Sequence, residues 1–522
     1  MTPDALQAAR VERWTRSKTA ARSTKGVVTA QHYAAAEAGA TVLDEGGNAV
    51  DAAVTAALTL QTAEPWMSGL GACGYMLVAE PDGHVETVEF TGRLPEVLDM
   101  ETYAPDPGGA MFFNGNAISR DQSNIRGFTS AAIPGCVRGF AHALERFGTI
   151  SFARALAPAL SRAKAGMPVD WHTSLAIALA EQAIRRDPGL SAVYLPSGAI
   201  PQPGQVLAMP ALAATLERLT ANGPDDLYHG RTARDLVADL QENGNGITLE
   251  DMEGYRPLTY PAEVSRFGAY RLHTAGETSA GARLHETMAQ FMDLHGAGPV
   301  SPAFFTAIAR AISAGFEDAV KPAVPADRDV AGSTTQVNAV DAKGRFVSVT
   351  FTLFARFGAC VLSPRTGIIL NNGMAWYDPR PGRTTSMTPQ MYAHSNMCPA
   401  IVTKGDAPVL AVGASGANMI VPAVAQLIAL HLCAGMGVSE AAHRPRLHLG
   451  PEGKMVVNVD MRPDEIAALE ALGPLTPMQT TVMPRPFGSP SMIGREGAAF
   501  VGVPDISYPG AFAAACRPET AQ

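Results

Sequence analysis

Twenty-three residues, GSTTQVNAVDAKGRFVSVTFTLF from Gly332 to Phe354, constrain this 522-residue chain more than any other stretch. Two runs rich in β-branched and aromatic residues flank Asp341-Ala342-Lys343-Gly344-Arg345, the pattern of a β-hairpin. A three-residue loop, 342–344, with Gly344 in the left-handed position, closes such a hairpin. Pairing Asp341 with Arg345 fixes the register, and counting back sets Thr334 opposite Thr352. Directly opposed residues share a face, with Cβ atoms about 4.5–5.5 Å apart, so two threonine hydroxyls meet at one strand end. A two-residue turn would shift the register by one and separate them. Taken alone, two threonines in strands are better read as ordinary strand formers.

The rest of the chain alternates strand and helix patterns. GVVTAQH reads as a buried strand, AAAEAGATVLDEGG as a helix ending at a glycine pair, and Asn48 as the cap of AVDAAVTAALTLQTA. YMLVAE and HVETVEF around Pro81-Asp82-Gly83 form a second expected hairpin. The middle, roughly 129–245, is mostly helical, and strand patterns resume at Ser333. PVLAVGAS reads as a strand, NMIVPAVAQLIALHLCAG and SEAAHRPRLH as helices, and the end as strand-rich. Strand groups at both ends with helices between them fit a layered α/β fold. The polar start, 1–24, is expected to be a disordered arm.

At 47% hydrophobic and 17% charged residues, the chain has ample material for a large core. A net charge of -9 without a basic block gives no support to a nucleic-acid or membrane partner. The first thirty residues lack an apolar core of the signal-peptide kind, and no run of about 18 apolar residues follows, so a cytoplasmic protein is expected. Six cysteines without a CxxC pair read as buried thiols. His443 and His448, five apart, do not share a helix face, and no metal site is expected.

Two glycine motifs need weighing. GLGACG, 69–74, matches GxGxxG, but a helix precedes it and a strand follows, the reverse of a dinucleotide site, so no cofactor is expected. GASGA, 413–417, sits between strand and helix like a nucleophile elbow. No aspartate lies between Ser415 and the last histidine, His448, and Glu440 shares one short segment with His443 and His448. Its amides are better read as donors to a developing oxyanion than Ser415 as a nucleophile.

From about Gly26 to Ala515 the sequence resembles the γ-glutamyltranspeptidase family. The resemblance rests on GVVTAQHYAAAEAGATVLDEGGNAVDAAVTAALTLQTAEPWMSGLG, IPGCVRGFAHALERFG, LYHGRTARDLVADLQENGNGITLEDMEGYRP, STTQVNAVDAKGRFVSVTFTLFARFG, TGIILNNGM, SNMCPAIV, VGASGANMI and EAAHRPRLH, in that order. It implies a four-layer αββα sandwich of the N-terminal nucleophile hydrolase type, made as one precursor that cuts itself. The first threonine of the family's TT pair falls on Thr334, with cleavage after Ser333, giving a large subunit over 25–333 and a small subunit over 334–522, with a dimer of these as one arrangement. The supporting threonine falls on Thr352, the oxyanion donors on the backbone of Gly416 and Ala417, and the serine pair that holds a substrate carboxylate on Ser395 and Asn396. Asn372 in NNGM is also expected to face a small-molecule amide substrate.

The sequence departs from the family where that family grips a γ-glutamyl group. Thr91 in EFTGRLPEV stands at the place of the carboxylate-binding arginine, with Arg93 two residues on and on the same strand face as a partial replacement. Trp376 stands where the family has an aspartate for the substrate ammonium. Phe354 replaces an asparagine, and Gln336 a histidine. An aromatic-lined pocket without that carboxylate favours a less polar or differently charged acyl amide. An ordinary γ-glutamyl transferase and an uncleaved binding homologue are the alternative expectations.

Overall fold

The computed structural model describes residues 16–112, 114–316, 332–450, 453–483 and 485–517. Its backbone forms two seven-stranded sheets, every pairing within them antiparallel. In chain order their strands are β1 (Ala21–Ser23), β2 (Gly26–Ala30), β3 (Cys73–Ala79), β4 (Val85–Phe90), β5 (Leu258–Pro261), β6 (Glu263–Phe267) and β7 (Tyr270–Thr274). Then come β8 (Gly332–Asp341), β9 (Phe346–Ala355), β10 (Ala400–Lys404), β11 (Ala407–Ser415), β12 (Ser489–Glu496), β13 (Ala499–Val503) and β14 (Phe512–Ala515). One sheet runs β14-β2-β8-β9-β3-β4-β5 and the other β1-β13-β12-β11-β10-β7-β6.

Helices cover the outer face of each sheet. On the first lie α1 (Tyr33–Asp44), α2 (Ala49–Ala63), α3 (Cys136–Phe147) and α4 (Phe152–Ala165), packed with Val337, Ala339, Val347, Val349 and Phe351. On the second lie α5 (Gly281–Leu294), α6 (Pro302–Ala314) and α7 (Ile420–Ile428), packed with Leu272, Val402, Leu410 and Met492. Val27, Leu77, Val340, Phe346, Ile401 and Ile493 join the facing sides of the sheets. The layers are αββα, the N-terminal nucleophile hydrolase arrangement. α2 is buried along its whole length, as its nearly uninterrupted Ala, Val, Leu and Thr content requires. The Asn48 side chain accepts from Val50 N and Asp51 N, and Asp51 closes the capping box.

Three expectations change. Ala21–Ser23 are a strand at the sheet edge, paired with β13, and so do not belong to the arm expected over 1–24; 1–15 lie outside the described residues. The helix read from SEAAHRPRLH stops at His443. Arg444 is extended ahead of Pro445, as a residue before proline must be, and Leu447–Leu449 join a separate three-stranded sheet. The apolar run after Asn418 is α7 followed by a π-helical turn, Ala429–Cys433. No described helix is long and apolar enough to cross a membrane. None of the cysteines is in a disulfide among the described residues.

Candidate active site

The β8–β9 hairpin closes as its sequence requires. Gly344 adopts φ 83°, Gly344 N donates to Asp341 O at 2.9 Å, and Asp341 N to Arg345 O at 3.2 Å. Pairing then runs from Val340 with Phe346 back to Thr335 with Phe351. Between Thr335 and Ser333 the register slips by one, so that Ser333 faces Phe354 and Thr334 lies opposite a bulge in β9, at Thr352 and Leu353. Thr334 Oγ1 still lies 3.5 Å from Thr352 Oγ1, and both residues are buried.

Thr352 is the hub of the bulge. Its hydroxyl donates to the Ser333 carbonyl and accepts from the Phe354 amide at 2.7 Å and from the Thr334 hydroxyl. The bond between Ser333 and Thr334 therefore carries a hydrogen-bond donor on its carbonyl and a hydroxyl at its far side. Ser333 Oγ is turned away, donating toward the Trp66 carbonyl at 3.0 Å and Met67 Sδ at 2.9 Å. Phe354, at φ 84°, occupies a left-handed conformation that L-residues reach only at a cost; asparagine tolerates it better.

Below the threonines, the inter-sheet face of the hairpin is a satisfied polar ladder. Gln336 Nε2 donates to Asn338 Oδ1 and Ser348 Oγ, both at 2.9 Å, and Gln336 Oε1 accepts from Thr350 Oγ1. Asn338 Nδ2 reaches across to Ser491 Oγ at 3.0 Å and Thr29 Oγ1 at 3.1 Å. Gly413 on β11 makes room for this network, because a Cβ there would fall 2.2 Å from Gln336 Oε1.

β11 carries the chain to the glycine turn. Ser415 is fully buried and accepts from Gln31 Nε2 at 2.7 Å, a structural contact and not that of a nucleophile. Gly416 (φ 129°) and Ala417 (φ 53°) turn the backbone into a short helical turn, Ala417–Met419, that leads into α7 and packs against β8. The first amides of such a turn have no intrahelical acceptor and are available to an oxyanion. Asn418, next in the turn, accepts from Asn396 Nδ2 at 3.2 Å.

A cleft of about 360 Å³ opens here, lined by Asn418, Asn396, Ser395, Trp376, Asn116 and Glu277 among others. Trp376 packs edge-on against Phe354, ring centres 4.8 Å apart, and Phe354 lies 5.4 Å from Phe112. Asn116 Nδ2 donates to the carbonyls of Ala375 and Trp376, holding the tryptophan in place. The segment carrying Phe112, Asn114 and Asn116 was not expected at the site.

Two residues expected to meet a substrate are engaged in main-chain contacts. Arg93 does not line the cleft: its guanidinium donates to the carbonyls of Gly254 and Asp251, each at 3.0 Å, closing the end of the helix Leu249–Glu253. The Asn372 side chain is fixed at both ends, accepting from Ala355 N at 3.0 Å and donating to Ile125 O at 3.1 Å. Thr91 is buried and donates to Glu89. Ser395 and Asn396 do line the cleft.

Among the described residues no group of three His, Cys, Asp or Glu side chains is placed to hold a metal. A titratable group lies behind the bulge instead. Glu64, at the end of α2 and two residues before Trp66, is pushed up to about 8 by burial, against the opposing effect of the Tyr508 hydroxyl that donates to it. His172, whose ring is 4.9 Å from Tyr508, is pushed down to about 4, chiefly by burial.

Comparison with known proteins decides the family. The profile of the family described as Gamma-glutamyltranspeptidase matches residues 35–319 and 290–515. The chain belongs to the γ-glutamyltranspeptidase family. It is an enzyme of that family's amide-hydrolase class. Among curated γ-glutamyltranspeptidase relatives it is 32% identical over 505 residues to the Acylase ACY 1 proenzyme of Pseudomonas sp. (strain V22), covering 89% of each chain. It is 27% identical over 550 residues to the Glutathione hydrolase proenzyme of Bacillus subtilis (strain 168), covering 93% of this chain and 91% of that one. A solved cephalosporin acylase from Bacillus halodurans shares the fold with a TM-score of 0.84 at 20% identity, over 98% of this chain and 99% of that chain.

Proposed function

We propose that this protein is made as a precursor that cuts itself between Ser333 and Thr334, and that the freed Thr334 hydrolyses or transfers the acyl group of a small amide other than a γ-glutamyl amino acid. The observation that carries the reading is the Thr352 hydroxyl, which touches the Ser333 carbonyl, the Phe354 amide and the Thr334 hydroxyl together. In processing, Thr334 Oγ1 attacks the Ser333 carbonyl carbon while Thr352 stabilises the oxygen that gains charge. The C–N bond breaks, the nitrogen takes a proton, and an ester joins Ser333 to the Thr334 oxygen. Water resolves that ester into a Ser333 carboxylate and the Thr334 hydroxyl, on a residue whose amine the acyl shift has already freed.

In turnover that amine, with a pKa of about 7.7–8.0 for an ordinary α-amino group, takes the hydroxyl proton as Thr334 attacks the substrate carbonyl. Amides at Gly416 and Ala417 hold the oxyanion, the leaving amine takes the proton, and water or a second amine removes the acyl group. The departures in the cleft support a different acyl group: Trp376 and Phe354 form an aromatic wall, and Arg93 is committed to main-chain carbonyls. The acylase relatives point the same way. Glutathione hydrolase relatives support the second reading, a γ-glutamyl enzyme.

A denaturing gel tests processing. Two bands split between Ser333 and Thr334 in the wild type, and one full-length band in Thr334→Ala, are expected; a wild type that stays whole on incubation refutes the proposal. A γ-glutamyl anilide assayed beside simple aryl-acyl anilides tests the acyl group, and preference for the glutamyl substrate would defeat that part.

A further inference from the structure

A second cavity, of about 400 Å³, is lined by Arg16, Arg444, Arg446, Asp460, Thr480 and Phe487 among others. Three of its guanidinium groups each keep a buried nitrogen with no hydrogen-bond partner among the described residues: Arg16 Nη1, Arg444 Nε and Arg446 Nε. Arg446 is 5% exposed, and its other nitrogens make only long contacts. These run to the Ala442 carbonyl at 3.3 Å, the Gly488 carbonyl at 3.4 Å and Asp505 Oδ2 at 3.5 Å. Asp505 Oδ1 is engaged elsewhere, accepting from Ser507 N, Ser507 Oγ and Tyr508 N. Arg444 Nη2 donates to buried Glu465 at 2.6 Å, a carboxylate that Arg462 shares. Asp460 is exposed.

Buried donors without acceptors are rare and costly. Three arginine side chains that line one cavity have their best match in the oxygens of an anion. We propose that this cavity binds a small oxyanion, a carboxylate or a phosphate, through Arg16, Arg444 and Arg446. Gly488, whose carbonyl Arg446 approaches, has its Cα 3.0 Å from where a Cβ on Gly416 would stand. A bound anion therefore braces the backbone behind the Gly416 turn; this last consequence rests on the proposed function, whereas the binding does not.

Calorimetric titration of the wild-type protein with inorganic phosphate, and separately with acetate and citrate, reads the binding directly and needs no turnover. A single saturable site is expected, and the stronger of the two anion classes identifies the source of the ligand. Arg16→Ala removes a partly exposed side chain outside the nucleophile and the cleft. It is expected to weaken binding by about tenfold or more while anion-free amide turnover stays unchanged. Arg444→Gln, which leaves Glu465 paired with Arg462, should weaken it comparably. Absence of binding by every anion, or binding that is the same in both variants as in the wild type, would overturn the proposal and leave the cavity to water.

Discussion

The inter-sheet face of the β8–β9 hairpin and the cleft beside it hold their polar groups in opposite ways. On the hairpin, Thr334, Gln336, Asn338, Ser348, Thr350 and Thr352 all lie buried and bonded to one another or to the facing sheet. In the cleft, polar side chains and Trp376 line open space, with Phe354 and Phe112 packed in turn behind the tryptophan. A satisfied buried network is rigid and intolerant of change, since removing one member strands the others. The cleft wall can change chemistry without unmaking the bond-breaking end. The curated relatives include both acylases and glutathione hydrolases.

The largest expected effect breaks the hairpin side. Thr352→Val keeps the shape but removes the donor to the Ser333 carbonyl, and self-cleavage should slow by about 10²–10³-fold, read as precursor remaining over time on a denaturing gel. The next sharpens the cleft side. Trp376→Asp restores a carboxylate facing the substrate and should raise turnover of a γ-glutamyl anilide relative to a simple acyl anilide by about tenfold or more, with self-cleavage unaffected. Changes in kcat/KM for the two substrates measure it.

The smallest concerns the wall behind the bulge. Folded Glu64 keeps its proton up to about pH 8, whereas an ordinary carboxyl loses it near 4.5. Between those values the unfolded chain releases a proton that the folded one retains, so stability falls as pH rises through that window and levels off above it. Glu64→Gln mimics the protonated form. Its Tm should equal the wild type's near pH 4.5, exceed it increasingly toward pH 8 and diverge no further beyond, in melts taken across that range.

The hairpin was legible because β-pairing is arithmetic: Gly344 names the loop, the loop names the register, and the register brings Thr334 toward Thr352. The bulge at Thr352 and Leu353, opposite Thr334, was not, because an extra residue in one strand leaves no mark in residue type. The Asn48 cap was readable for the same local reason, and the early end of the helix at His443 could have been read from Pro445. Long-range partners were invisible. Nothing near Arg93 announces that the carbonyls of Asp251 and Gly254 take its guanidinium, or that Asn116, 260 residues upstream, would hold the Trp376 carbonyl.

Mass spectrometry of the processed enzyme, quenched during turnover of an amide substrate, tests the central claim most directly. The account predicts a small chain beginning at Thr334 that carries the mass of the acyl group on that residue and loses it as the reaction proceeds. Full amide turnover by a chain that is never cut, or an acyl group found on any other residue, would contradict it.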